Sequence, residues 1–437
     1  MRIAAIVHQF PPHFETGTEI LCLRTMQALA ARGHQVRVFA ADPLRPAGAP
    51  PREESVEGVA VTFIATARPH RLALAARLTD EFANPKAETA LIEGLRRFAP
   101  EAIHVFHLRQ WGLAAAPALA ALAPTVMTAT DFHLACPQAI GGYEDGRPCA
   151  GPDAEGGNCL AHAEALEEAR ARRSPAIALR GILSRLTPGL DGRQERAAAA
   201  WARREASARA LRSAARLLAG SVRIRAMLLA AGARPERLFL EPHGAPPLDI
   251  PARDMGPVPV AAFFGTLARH KGAHVFLDAL ARLPADLPLR AILAGPLGPD
   301  AAYADDIARR AAADPRIEMR PPAANAAFGA LLSEADIVVL PSLWDENRPL
   351  TLLNALEAGR YAVASDVPGL AAEITPGRTG ALFPPGDADA LAAILTWLAR
   401  APEPVRTARA HPRPSAFGAY VDAVERHLLD AVREAAR

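Results

Sequence analysis

No hydrophobic run in this 437-residue chain reaches the about 18 residues that a membrane-spanning helix needs. The first apolar stretch, IAAIV after one basic residue, is too short for the core of a signal peptide. A cytoplasmic protein is therefore expected, soluble or held peripherally at the inner face of a membrane. An excess of one charge is missing too. Forty-nine Lys and Arg against 47 Asp and Glu leave a net charge of +2, which gives no global footprint for nucleic acid. G-x-G-x-x-G is absent from the loop after the first apolar strand, which holds only ETGTE, and G-K-[ST] occurs nowhere. Dinucleotide and P-loop readings are demoted accordingly. Cysteine is scarce, four in all, as suits a reducing compartment, yet Cys136, Cys149 and Cys159 fall within 24 residues.

What is present is length and rhythm. Two domains are the expectation for a chain of this size. Short apolar runs alternate with helical patterns: RIAAIV (2–7), an amphipathic helix from about 18 to 32 stopped by Gly33, then HQVRVFA. Further strands are expected at 59–64, 102–107, 125–129 and 216–220. A Pro/Gly-rich stretch, 243–259, reads as a linker. The rhythm then restarts with VAAFFG (260–265), LRAILAG (289–295), DIVVLPS (336–342) and YAVASD (361–366), with helices between. This is an α/β chain of two doubly wound, Rossmann-like parallel-sheet domains, with ligands expected at strand C-terminal ends in a cleft between them. The expected boundaries are 1–245, 246–410, and a terminal segment 411–437 whose helix packs back on the first domain. Within the first, residues from about 136 to 216 form an insertion with a cysteine loop and an Arg-rich helical part. Its block 161–216 holds twelve arginines against six acidic residues, a surplus of +6. That is either a solvated helical face or a basic face for an anionic acceptor or membrane.

Two motifs carry chemistry. In FFGTLARHKG a strand runs into Gly265, and Lys271-Gly272 precede a helix, so backbone, lysine and helix N-terminus suit a phosphate. An ordinary turn with a surface lysine would look the same. In PSLWDENRPLTLLNALEAG, Glu346 lies just before a helix that Pro349 opens and Gly359 closes. Free N–H groups at that helix start suit a diphosphate, and the carboxylate suits sugar hydroxyls.

These segments, with GTEILCLRTMQALAARGHQVRVFA, TDFHLACPQ, SDVPGLAAEI and GRTGALFPPGD, resemble family 4 glycosyltransferases of the GT-B fold over nearly the whole chain. The resemblance implies a retaining transferase that uses a nucleotide-diphosphate sugar, UDP- or GDP-linked, and a glycan or glycolipid acceptor, without a catalytic metal. It implies that the donor sits mainly in the C-terminal domain and the acceptor mainly in the N-terminal one. Glu346, Lys271 and Asp131 take the catalytic positions. Donor contacts fall on Gly17, Gly265, Thr266, Arg269, Lys271, Glu346, Asn347, Arg348, Pro349, Leu350 and Asn354. Three positions depart from the pattern: Thr266 where arginine is usual, Asn354 where a second glutamate holds the ribose, and Thr130 where histidine often precedes Asp131. Arg269 and Arg348 are the candidates to replace the missing arginine's charge. These departures motivate a rival, a catalytically silent scaffold that binds a partner protein. A nucleotide-sugar epimerase is a second rival, but no obvious acid/base pair supports it.

Cys136, Cys149 and Cys159, with His162 completing a C-x2-H, have the donor chemistry of a tetrahedral structural zinc. Reduced thiols in a loop are the competing reading. His104 and His107 alternate with apolar residues in AIHVFH, and the first reads as a packed core histidine.

Overall fold

The computed structural model describes residues 1–68, 73–142, 149–173, 179, 192–298, 300–322 and 325–437. Contacts divide the chain into two compact units, Met1–Pro242 with Ala419–Arg437, and His243–Gly418. Among the described residues no helix is long and apolar enough to cross a membrane.

In the first unit, β1 (Arg2–Val7), β2 (Gln35–Pro46), β3 (Arg52–Val56), β4 (Val59–Ala67), β5 (Ala102–Val105), β6 (Thr125–Ala129), β7 (Arg216–Ala219) and β8 (Leu238–Leu240) form one sheet. Their order is β3-β4-β2-β1-β5-β6-β7-β8, and every neighbouring pair is parallel except β3 with β4. β1, β5 and β6 are buried on both faces, so most of their residues are apolar, and the polar ones inside β5 and β6 are paired: His104 with Thr128 at 2.8 Å, and Thr125 with the Ala123 carbonyl at 3.0 Å. The chain departs to opposite sides of β1, toward β2 and then toward β5. The connections that leave β1 and β5 therefore run to opposite sides of the sheet. β5 ends at Val105, two residues earlier than expected, so Phe106 and His107 leave the ladder at the C-terminal edge of the sheet.

The helix Phe417–Ala435 joins this unit from Ala419 onward. Arg32 bonds Asp422 and Glu425, each at 2.6 Å, and the Tyr420 hydroxyl lies 3.4 Å from Thr128 Oγ1.

In the second unit, β9 (Val260–Phe264), β10 (Arg290–Ala294), β11 (Ile317–Arg320), β12 (Ile337–Leu340), β13 (Tyr361–Ser365) and β14 (Gly380–Phe383) form an all-parallel sheet, β11-β10-β9-β12-β13-β14. Apolar clusters cover both of its faces. The stretch 243–259, expected as a linker, holds no helix or strand but is packed into this unit. A Cβ on Gly329 would meet the Asp249 carbonyl oxygen at 2.0 Å, and Arg253 donates to the carbonyls of Ser333 and Glu334. It is a strap, not a loose connection.

Candidate active site

β9 and β12 are neighbours in the second sheet, so the loops leaving their C-terminal ends emerge side by side. The first carries Gly265, Thr266 and a tight turn, Arg269–Lys271; the second carries Ser342 to Pro349. The Leu343 N–H donates to the His270 carbonyl at 2.8 Å and ties them together. Gly272, at φ +76°, is needed where they cross, because a Cβ there would meet the Pro341 carbonyl oxygen at 1.8 Å.

This crossing brings Lys271 to Glu346. Oε1 of Glu346 accepts from Lys271 Nζ at 2.7 Å, Ser342 Oγ at 2.8 Å and Trp344 Nε1 at 2.8 Å. Among the described residues no hydrogen bond falls on Oε2. The ammonium also sits 5.1 Å from the Trp344 ring centre, a cation–π contact. Burial opposes ionisation of Glu346, but the Lys271 charge and the three donors outweigh it and hold the carboxyl below its usual range. The site therefore presents an ionised carboxylate with one saturated oxygen and one open one.

Beyond Glu346 the helix Leu350–Glu357 begins behind Pro349, with no side-chain cap. The N–H groups of Leu350 and Thr351 have no partner among the described residues; Pro349 has no N–H to give. The loop before this helix lies backbone-to-backbone on Gly369, where a Cβ would meet the Glu346 carbonyl oxygen at 1.5 Å. Asn347 and Asn354 are buried, at 7% and 8% exposure.

The two arginines considered as replacement charges are engaged elsewhere. Arg348 pairs with Glu373 and donates to the His243 carbonyl at 3.0 Å. Arg269 bonds Asp300 at 3.0 Å and lies over Tyr303. Glu357 is turned to Ser415 and to the backbone of Ala416 and Ala245. Ser342 and Trp344 are partners of Glu346 that the sequence did not suggest. Their only signal is spacing at Glu346's own i−4 and i−2.

In the first unit, Gly17 opens the helix Gly17–Ala31 behind a capping box of Thr16 and Glu19. Asp131 follows β6, and its Oδ2 lies 3.0 Å from His107 Nε2. Cys136, Cys149, Cys159 and His162 line one small cavity. Burial pushes the Cys159 thiol up to about 12, with Cys136 also raising it and Arg203 opposing. The donor chemistry suits zinc and the four side chains share this cavity, though among the described residues no three His, Cys, Asp or Glu already stand at metal-holding distances. Cys149 Sγ instead accepts the Gly151 N–H at 3.4 Å.

Residues 16–244 match the family described as "Glycosyl transferase 4-like domain", and residues 255–411 match "Glycosyl transferases group 1". A D-inositol 3-phosphate glycosyltransferase of Corynebacterium urealyticum is 30% identical over 151 residues. That match spans 31% of this chain and 35% of the relative's length. Among solved structures, Anabaena Alr3699/HepE in complex with UDP and glucose aligns with a TM-score of 0.63 at 14% identity, covering 99% of each chain. WaaG, a glycosyltransferase involved in lipopolysaccharide biosynthesis, aligns with a TM-score of 0.61 at 18% identity, covering 98% of this chain and 99% of its own.

Proposed function

This chain belongs to the glycosyl transferases of those two families, and from that premise we propose that it transfers a hexose, with retention, from a nucleoside-diphosphate sugar to a hydroxyl of a glycan or glycolipid. The carrying observation is the Glu346 carboxylate, fixed through Oε1 by Lys271, Ser342 and Trp344 beside an uncapped helix start. Oε2 accepts sugar hydroxyls and orients the ring. Lys271 and the N–H groups of Leu350 and Thr351 stabilise the charge that develops on the leaving diphosphate. The bond from the anomeric carbon to the diphosphate breaks and a bond to the acceptor oxygen forms on the same face. The acceptor proton passes to the leaving phosphate oxygen, so no general base is assigned. Asn354 meets the ribose, where an amide both accepts and donates. The UDP and glucose named for the Anabaena neighbour support a UDP-linked donor, with GDP kept as the alternative.

A thermal-shift screen against UDP-, GDP- and ADP-sugars should raise the melting temperature with one base only. The anomer formed with that donor should match the donor's own. An inverted product would overturn the retaining reading. The silent-scaffold reading draws support from Arg269 and Arg348 both being engaged by acids. Tight capture of a partner protein with no turnover of any nucleotide sugar would establish it.

For the cysteine loop we propose one structural zinc, whose binding would draw together donors that already share a cavity. Metal analysis should find about one zinc per chain. A metal-free, fully folded preparation would end the proposal.

A further inference from the structure

The C-terminal edge of the first sheet carries a column of imidazoles that the proposed chemistry leaves unused. His8 directly follows β1, His107 follows β5, and Asp131 and His133 follow β6; β1, β5 and β6 are successive neighbours in the sheet. The His107 ring is sandwiched, 4.1 Å from His8 and 4.7 Å from His133 between centroids. Its two nitrogens have distinct jobs. Nδ1 accepts the backbone N–H of Arg109 at 3.0 Å, so the ring proton must sit on Nε2. Nε2 then donates to Asp131 Oδ2 at 3.0 Å, while Oδ1 accepts the His133 N–H at 2.7 Å. Both carboxylate oxygens are anchored, yet the side chain keeps 34% exposure, whereas His107 keeps 4%. This reverses the familiar order in which a carboxylate orients a histidine: here the imidazole is the fixed element and the carboxylate is the exposed end.

We infer that His107 is a positioning residue that locks Asp131 as an oriented anion able to accept a hydrogen bond from the hydroxyl being glycosylated. The inference rests on the transferase reading above. Asp131 is the group an incoming hydroxyl meets; His107 acts through it. Burial works against the Asp131 charge, but His107, the His133 N–H and Arg109 together hold its pKa below the usual range. The other charged groups around it are Glu19, 3.3 Å from His8, and Glu81 and Arg203, both placed against His133. His8 and His133 are held neutral by burial, with cationic Arg109, and Arg203 beside His133, adding to the effect. The column therefore adds aromatic walls around His107 rather than a store of protons.

The test uses two variants of the full chain and two readouts. His107→Phe keeps the stacked ring and removes the donor; His107→Gln restores an N–H near the Nε2 position. The first readout is the carbon-13 shift of the Asp131 carboxyl against pH, which needs no substrate. The Asp131 pKa should rise by about one unit in His107→Phe and return most of the way in His107→Gln. The second is release of nucleoside diphosphate from UDP-glucose and GDP-mannose with methyl glucosides as hydroxyl acceptors. Acceptor KM should rise roughly tenfold in His107→Phe, with donor KM unchanged, and recover in His107→Gln. An unmoved Asp131 titration, or His107→Gln no better than His107→Phe in both readouts, would overturn the inference. If wild type turns over no nucleotide sugar while the titration behaves as stated, the transferase reading fails and the locked carboxylate stands.

Discussion

Glu346 gathers three donors on one oxygen and leaves the other open, and that asymmetry governs what its replacement does. Glu346→Gln removes the charge that Lys271 answers and puts an N–H donor into a pocket built of donors. The sugar loses its orienting acceptor, and kcat should fall by about tenfold or more, read in a single-turnover assay, with a smaller change in donor affinity. Full kcat in this variant would mean that the donor lies elsewhere. Thr266 and Asn354 act differently, because neither would touch the bond that breaks. Thr266→Arg adds the cation that neither Arg269 nor Arg348 supplies, since both are held by acids. Asn354→Glu adds a carboxylate for ribose hydroxyls. Each should tighten nucleotide-sugar binding by roughly tenfold, about one charge-assisted hydrogen bond, with kcat little changed. Calorimetric titration with the donor reads this directly, and unchanged affinity in both would remove these positions from the donor site.

Among the elements, the helix Arg193–Ser213 shows how a charge count divides once folded. Its arginines are not one face. Arg203 is buried with its guanidinium on the His133 carbonyl, Arg196 bonds Glu164 at 3.0 Å, and Arg204 bonds Glu205 at 2.6 Å. Arg193, Arg209 and Arg212 are exposed, and so is Trp201 at 53%. Residues 174–178 and 180–191 of the same Arg-rich block lie outside the described residues. A tryptophan among outward arginines suits an anionic membrane surface, each cation contributing about 1 kcal/mol there. Binding to anionic liposomes should weaken steeply with salt and drop in Trp201→Ala and Arg209→Glu. Equal binding to neutral and anionic liposomes at low salt would end the membrane reading. The same element scale explains what could be read in advance. β1, β9 and β12 were legible because strands buried on both faces are apolar almost throughout. β3 (REESV) and β11 (IEMR) were not, since they are edge strands in which charged residues interrupt the apolar pattern. Glu346 and Lys271 stood out as candidates from local spacing, and the structure brings their side chains together. The roles of Arg348 and Trp344 were not legible, because one depends on Glu373, 25 residues on, and the other on a shared oxygen atom.

At the scale of the whole molecule, buried imidazoles set the response to acid. His8, His104 and His133 in the first unit and His243 in the second all have pKa values lowered by burial, to about 3 for His104 and about 4 for His243. The neighbour that adds to burial differs: Arg109 acts on His8 and His133, His427 on His104, and Arg348 on His243. In the unfolded chain each titrates near 6.5. Below that pH the unfolded state binds protons that the folded state refuses, so stability falls as the solution is acidified from neutrality. The loss runs from about pH 6.5 down to the folded values, where the native side chains protonate as well. At pH 5.5 His104 and His243 alone should take up nearly two protons on unfolding and cost about 3 kcal/mol relative to pH 7.5, one in each unit, and His8 and His133 add in the same direction. Asp131 and Glu346 add to the loss only further down, since their folded pKa values lie below the normal carboxylate range. Glu19, raised by burial, works weakly the other way near its own titration. Calorimetric unfolding at pH 5.5 in buffers of different ionisation enthalpy counts those protons without assuming that the two units unfold together. Uptake of fewer than about one would mean that His104 and His243 reach solvent protons in the folded protein, and no uptake beyond those two would mean that the stack around His107 is looser than its geometry requires.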